Sequence, residues 1–92
     1  MDNKSGSFLL VNVRYANSAV PIDQANIEVR DNGSISSYKT GKDGKSEYIY
    51  LNSGNNNRIV VSANNFLEKI IDNIPIIDGF LSIQNVEMFP EF

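Results

Sequence analysis

Glu68, Asp72 and Asp78 fall close together in the stretch FLEKIIDNIPIIDGF, and they are the residues best placed for acid–base chemistry in this chain. Two carboxyl groups facing one another across a cleft, one protonated and one ionised, carry out glycoside hydrolysis. Here they would work alone. The 92 residues include no histidine and no cysteine, so no side chain titrates near neutrality unperturbed and no thiolate is available. Ser-His-Asp and Cys-His mechanisms, zinc–thiolate sites, iron–sulfur clusters and disulfides are thereby excluded. A chain this short fills its interior with side chains and offers no obvious cleft for two carboxylates of opposed pKa. Asp72 and Asp78 therefore read as solvated turn residues, and no enzymatic activity is expected.

Two short acidic runs have the look of calcium loops. Asp31-Asn32-Gly33-Ser34 and Asp43-Gly44 both supply oxygen donors, but neither continues the alternating ligands and closing Glu of an EF-hand. Hairpin turns are the better reading. No metal and no cofactor are expected.

The aromatic and basic residues point toward binding. In SEYIYL, turning Ile49 and Leu51 toward a core puts Tyr48 and Tyr50 side by side on the outer face. Tyr38 joins them if its strand pairs alongside. Adjacent exposed rings stack on a sugar or anchor a protein partner; the plainer alternative is cross-strand packing on a wet face. Lys39, Lys42 and Lys45 surround the same turn, where they meet an anionic polymer or keep a sheet edge soluble. The candidate binding surface is thus Tyr38, Tyr48, Tyr50, Lys39 and Lys45, with a protein or a cell-wall glycan as its partner. Asn55, Asn56 and Asn57 form a polar loop whose amides suit a glycan or serve only as a connection.

Composition narrows the partners further. With 41% hydrophobic and 21% charged residues, the chain is an ordinary globular domain. A net charge of −3 and a pI of about 4.7 disfavour a phosphate backbone, so no nucleic acid is expected. No segment approaches the roughly 18 apolar residues of a membrane span. MDNKSGS has no apolar core of a secretion signal. The sequence assigns no location: the chain reads as cytoplasmic unless it is excised from or fused to an exported protein.

The elements that must position these residues are strands. Apolar and polar residues alternate in FLLVNVRY, with Leu9, Val11, Val13 and Tyr15 on one face, and in ANIEVR, with Ala25, Ile27 and Val29 inward. DNGS supplies an Asn-Gly turn of the kind type I′ hairpins favour, and ISSYKT returns from it. Ile59, Val61 and Ala63 alternate inward in RIVVSA, and Pro75 suits a strand end or an edge. In LSIQNVEM the parity changes: Leu81 and Ile83 are odd, Val86 and Met88 even, which predicts a bulge at Gln84-Asn85. Val20-Pro21-Ile22 leaves the first strand, with Ile22 plugging the open end and Ala25 small where the next strand begins. Seven such strands predict an all-β, antiparallel two-sheet sandwich over residues 6–90, after a disordered tail of residues 1–5.

The order GSFLLVNV, VPIDQANIEV, TGKDGKSEYIYL, RIVVSANNF and NIPIIDGFLSIQNVEMFP resembles the carboxypeptidase regulatory-like domains of the transthyretin-like (prealbumin-like) group. The resemblance spans residues 6–90 and implies a seven-stranded Greek-key sandwich. Gly41 stands where that pattern usually has Asp, leaving the turn to Asp43-Gly44. Asn65 stands where Gly usually precedes the aromatic, a place where Asn tolerates left-handed geometry. The hydrolase branch of the group uses paired histidines and a C-terminal Tyr-Arg-Gly-Ser, neither of which is present. The ending NIPIIDGFLSIQNVEMFP is similar to a variant found with bacterial spore-cortex-lytic and other peptidoglycan-processing proteins. That implies a non-catalytic accessory module positioning or attaching a partner in cell-wall or spore-cortex processing. The alternative is a structural homo-oligomer that pairs through an edge strand.

Overall fold

In the computed structural model, which describes residues 7–54 and 56–91, the alternating segments form seven strands and no helix. They are β1 (Phe8–Tyr15), β2 (Asn26–Asp31), β3 (Ser34–Lys39), β4 (Ile49–Tyr50), β5 (Asn57–Ser62), β6 (Lys69–Asp72) and β7 (Leu81–Met88). One sheet has the order β4-β1-β7 and the other β3-β2-β5-β6. The expected tail, residues 1–5, lies outside the described residues, as does Asn55 of the Asn-rich loop.

The two sheets share one core. Leu9, Val11 and Val13 of β1, with Ile49, Val86 and Met88, meet Ile27, Val29, Ile59 and Val61 of the facing sheet, all buried. Ile22, Leu51, Ile74 and Ile76 close the ends. The expected all-β two-sheet sandwich is what forms. Burying a side chain of this size stabilises by about 1.5–3 kcal/mol each, which drives the alternation of wet and dry faces.

One pairing departs from the antiparallel expectation. β1 pairs with β4 antiparallel, but with β7 in parallel, from Phe8 opposite Leu81 to Tyr15 opposite Met88. The reason is one of counting. When each connection reverses the chain, odd-numbered strands share a direction, so β1 and β7 must run parallel once they become neighbours. Hairpins link β2 to β3 and β5 to β6, so those pairs are antiparallel.

A second correction concerns the bulge. The β1–β7 register advances one residue for one along its whole length, so nothing is inserted at Gln84-Asn85. Leu81 and Ile83 instead point out into solvent, while Val86 and Met88 point in. The extra residue sits on the opposite side of β1. Leu9 faces Ile49 and Asn12 faces Lys45, so three steps along β1 match four along the other chain. There Ser46, buried, completes the ladder with its side chain: Val11 N–H donates to Ser46 Oγ at 2.9 Å, and Ser46 N–H donates to the Val11 carbonyl at 2.9 Å. This shortens β4 to two residues where SEYIYL promised a longer strand.

The turns follow their residues. Asn32 and Gly33 both have positive φ, 52° and 91°, as a type I′ hairpin requires. Gly44, at φ 78°, could carry no Cβ: one would lie 2.5 Å from the Val13 carbonyl oxygen. Asn65, at φ 71°, makes the left-handed turn before Phe66.

Candidate functional site

The outer face of the three-stranded sheet is built by residues that alternation leaves over once the core is filled. β1 turns Leu9 and Val11 inward, so Phe8 and Leu10 face out. The β4 and β7 registers then set Tyr50 and Leu81 on either side of Phe8, and Ile83 beside Leu10. Tyr48 is 66% exposed, Ile83 59%, Tyr50 49% and Leu81 44%. The Phe8 ring meets Tyr50 edge-on at a centroid distance of 5.7 Å, and Tyr48 at 6.3 Å with a tilt of 46°. These rings are held by one another before any partner arrives.

Of the residues singled out from sequence, the structure brings together Tyr48 and Tyr50 and separates Tyr38 from them. β3 pairs with β2, not with β4, so Tyr38 lies opposite Ile27 in the other sheet and packs half-buried against the core. Lys39 ends β3 opposite Asn26. Lys45 bridges to Asn12 on the three-stranded sheet. The two lysines thus belong to different sheets, and the connection between them is tied by Gly41 N–H donating to the Lys45 carbonyl at 3.0 Å.

Sequence reasoning misses Phe8, Leu10, Leu81 and Ile83 as site residues. Phe8 and Leu10 occupy the polar positions of an alternating strand, a signal legible in FLLVNV. The bulge expected at Gln84-Asn85 would turn Leu81 and Ile83 inward, where their chemistry suits them equally well.

The carboxylates are dispersed. Asp72 is tied to Arg58 across β5 and β6 by two hydrogen bonds, Nε to Oδ1 and Nη2 to Oδ2 at 3.1 Å. The hydrogen bonds from Arg58, helped by its charge, hold the Asp72 carboxyl below its ordinary range; the same contacts raise Arg58. Asp78 Oδ1 accepts a hydrogen bond from Ser7 Oγ at 3.3 Å. Among the described residues no three His, Cys, Asp or Glu side chains gather as a metal site. An open groove of about 690 Å³ runs beside the Arg58–Asp72 pair, with Arg30, Asn32, Asn56 and Asn73 on its walls. The Asn-rich loop contributes Asn56 there, whereas Asn57 is buried and pairs its amide with the Ile74 backbone.

No protein-family model matches the chain, and no curated protein matches it.

Proposed function

We propose that this chain is a non-catalytic binding module that attaches a protein partner through the outer face of its three-stranded sheet. The observation that carries the reading is the unbroken row Tyr50, Phe8, Leu81 with Leu10 and Ile83 beside it, Phe8 and Leu10 half-buried and the others exposed, where a solvated sheet normally shows polar side chains. Contiguous apolar surface of this kind marks interaction sites. Aromatic rings already held in place lose little conformational freedom on binding. The aliphatic share of the face favours a protein surface over a sugar, since sugars present hydroxyls that Leu81 and Ile83 cannot bond.

The transthyretin-like reading of the chain supports the same role, as does the similarity of its ending to modules in cell-wall and spore-cortex processing. In that setting the domain positions a lytic or wall-binding partner and performs no chemistry itself.

The test uses p-benzoylphenylalanine at Tyr48 for photo-crosslinking in the native cell, with the same probe at Ile35 on the other sheet as control. One defined protein adduct from position 48, absent from position 35 and reduced by Tyr50→Ala, is expected. Co-sedimentation with purified peptidoglycan runs in parallel. Retention that depends on Tyr48 and Tyr50 without a protein adduct would shift the partner to a glycan, and no capture by either route would end the proposal.

A further inference from the structure

Three of the sheet edges are blunted in familiar ways. β3 carries Ser34, Ser36, Ser37 and Lys39; β6 is four residues long with Lys69 and Asp72 at its ends; β4 is two residues long. Short length and charge discourage pairing with another chain. β7 is not short and carries a single charge, Glu87. It runs eight residues without Pro, Gly or Lys, keeps regular register with β1, and no described segment pairs with its other side until Phe89, just past its end, whose carbonyl accepts from Leu67 N–H at 2.8 Å.

The hydrogen bonds at its two ends show which backbone groups are free. Phe8 N–H donates to the Phe80 carbonyl at 3.3 Å and Ala16 N–H to the Met88 carbonyl at 2.9 Å. In a regular parallel ladder, that alternation sends the even-numbered groups of β7 toward β1. Leu81, Ile83, Asn85 and Glu87 are left facing the open edge, each with one N–H and one C=O; of these the Asn85 carbonyl accepts from Gln84 Nε2 at 3.0 Å, a bond that a seam replaces. The same four residues project their side chains onto the outer face.

We propose that this edge is the seam of a homodimer, in which the β7 strands of two copies pair antiparallel about a two-fold axis at Gln84. The two three-stranded sheets become one sheet of order β4-β1-β7-β7-β1-β4. A symmetric antiparallel seam needs opposed residues that both aim their backbone groups outward and share a face. Odd opposite odd satisfies both conditions: Leu81 meets Glu87 of the second copy, and Ile83 meets Asn85. This register uses all four free residues. Glu87, the only charge on the strand, falls opposite Leu81 and not opposite its own copy, so no like charges are opposed. A foreign strand would have to supply this match, whereas a second copy carries it by parity. The seam rests on the β7 edge and is independent of what the outer face captures.

Light scattering across a concentration series should give a dimer mass for the natural chain. Asn85→Pro removes one seam N–H and leaves the backbone ladder to β1 intact; Asn85→Lys keeps the N–H and places like charges near the axis, and both give up the hydrogen bond that Asn12 Nδ2 donates to Asn85 Oδ1. Both should elute as monomers with undiminished amide dispersion in NMR spectra. The chain has no cysteine, so Asn85→Cys accepts a single spin label. Diagonal positions across a seam lie about 7–8 Å apart, which gives strong dipolar broadening at 85 and none for Ser36→Cys on β3. A monomer at every concentration overturns the proposal, as does a dimer that survives both variants without broadening at 85. Crosslinking from Tyr48 in the Asn85→Lys background separates the two readings. An adduct there preserves the binding function without the dimer, and a natural chain that dimerises but gives no adduct preserves only the seam.

Discussion

Thr40 and Ala25 exchange hydrogen bonds in the dry end of the sandwich: Thr40 N–H donates to the Ala25 carbonyl at 3.0 Å, and Ala25 N–H donates to Thr40 Oγ1 at 2.9 Å. The same hydroxyl donates to the Ile22 carbonyl at 2.7 Å. One buried side chain therefore satisfies the VPIDQA segment, which Gln24, at φ 63°, bends out of any strand. Thr40→Val keeps the shape and removes the hydroxyl, leaving Ala25 N–H and the Ile22 carbonyl unmet. At about 1–3 kcal/mol for each orphaned group, urea unfolding should show a loss of roughly 2–6 kcal/mol in total. Thr40→Ser should keep most of it. A Val variant as stable as the natural chain would mean these groups find other partners.

Gly44 and Gly33 both have positive φ but differ in surroundings. A Cβ at Gly44 meets the Val13 carbonyl at 2.5 Å and Pro21 Cβ at 2.8 Å, while at Gly33 nothing lies within 4 Å. Gly33→Ala should cost about 1 kcal/mol, from backbone strain alone. Gly44→Ala adds a collision with backbone and should cost roughly 3 kcal/mol or more. Thermal melting of the two variants side by side reads the difference; equal losses would refute the close approach.

The regular register of β7 makes Ile83 and Val86 opposites. Ile83 is 59% exposed and Val86 1%. Ile83→Ser should change unfolding stability by less than about 1 kcal/mol, and Val86→Ser should cost roughly 2–4 kcal/mol through lost burial and a stranded hydroxyl. A large loss at Ile83 in monomeric conditions would restore the bulge.

The Arg58–Asp72 pair should leave a mark in acid. Its hydrogen bonds lower the Asp72 pKa in the folded chain, below the unfolded value of about 3.9. The stabilisation is then fully present above the unfolded value and disappears as pH falls through the lowered one. Arg58, raised from a value already far above neutrality, adds no titration in this window. The difference in urea midpoint between the natural chain and Asp72→Asn should therefore be constant near neutrality and shrink toward zero in strong acid. It should also shrink with added salt, because both side chains are half-exposed. A difference that grows on acidification would contradict the pairing.

Much of this architecture is legible without coordinates. Leu9, Val11 and Val13, Ile27 and Val29, and Ile59 and Val61 alternate so regularly that their inward faces follow from the strand period. Asn32-Gly33 names its own hairpin, because few residues besides Asn and Gly accept positive φ there. The absence of histidine and cysteine removes whole classes of chemistry from the chain. Each of these depends on local properties, on steric limits at one residue or on the alternation of a single strand.

Tertiary structure decided which strands become neighbours, and the candidate site depends on that choice. Leu81 and Ile83 are as apolar as core residues, and only the one-for-one register with β1 turns them outward. Tyr38 and Tyr48 are ten positions apart, yet they lie in different sheets because the chain crosses over after Thr40. The parallel pairing of β1 with β7 joins the two ends of the described chain, a contact no local pattern encodes. Strand alternation assigns a side chain to one of two faces; whether that face is covered by a second sheet or left to water depends on residues far away.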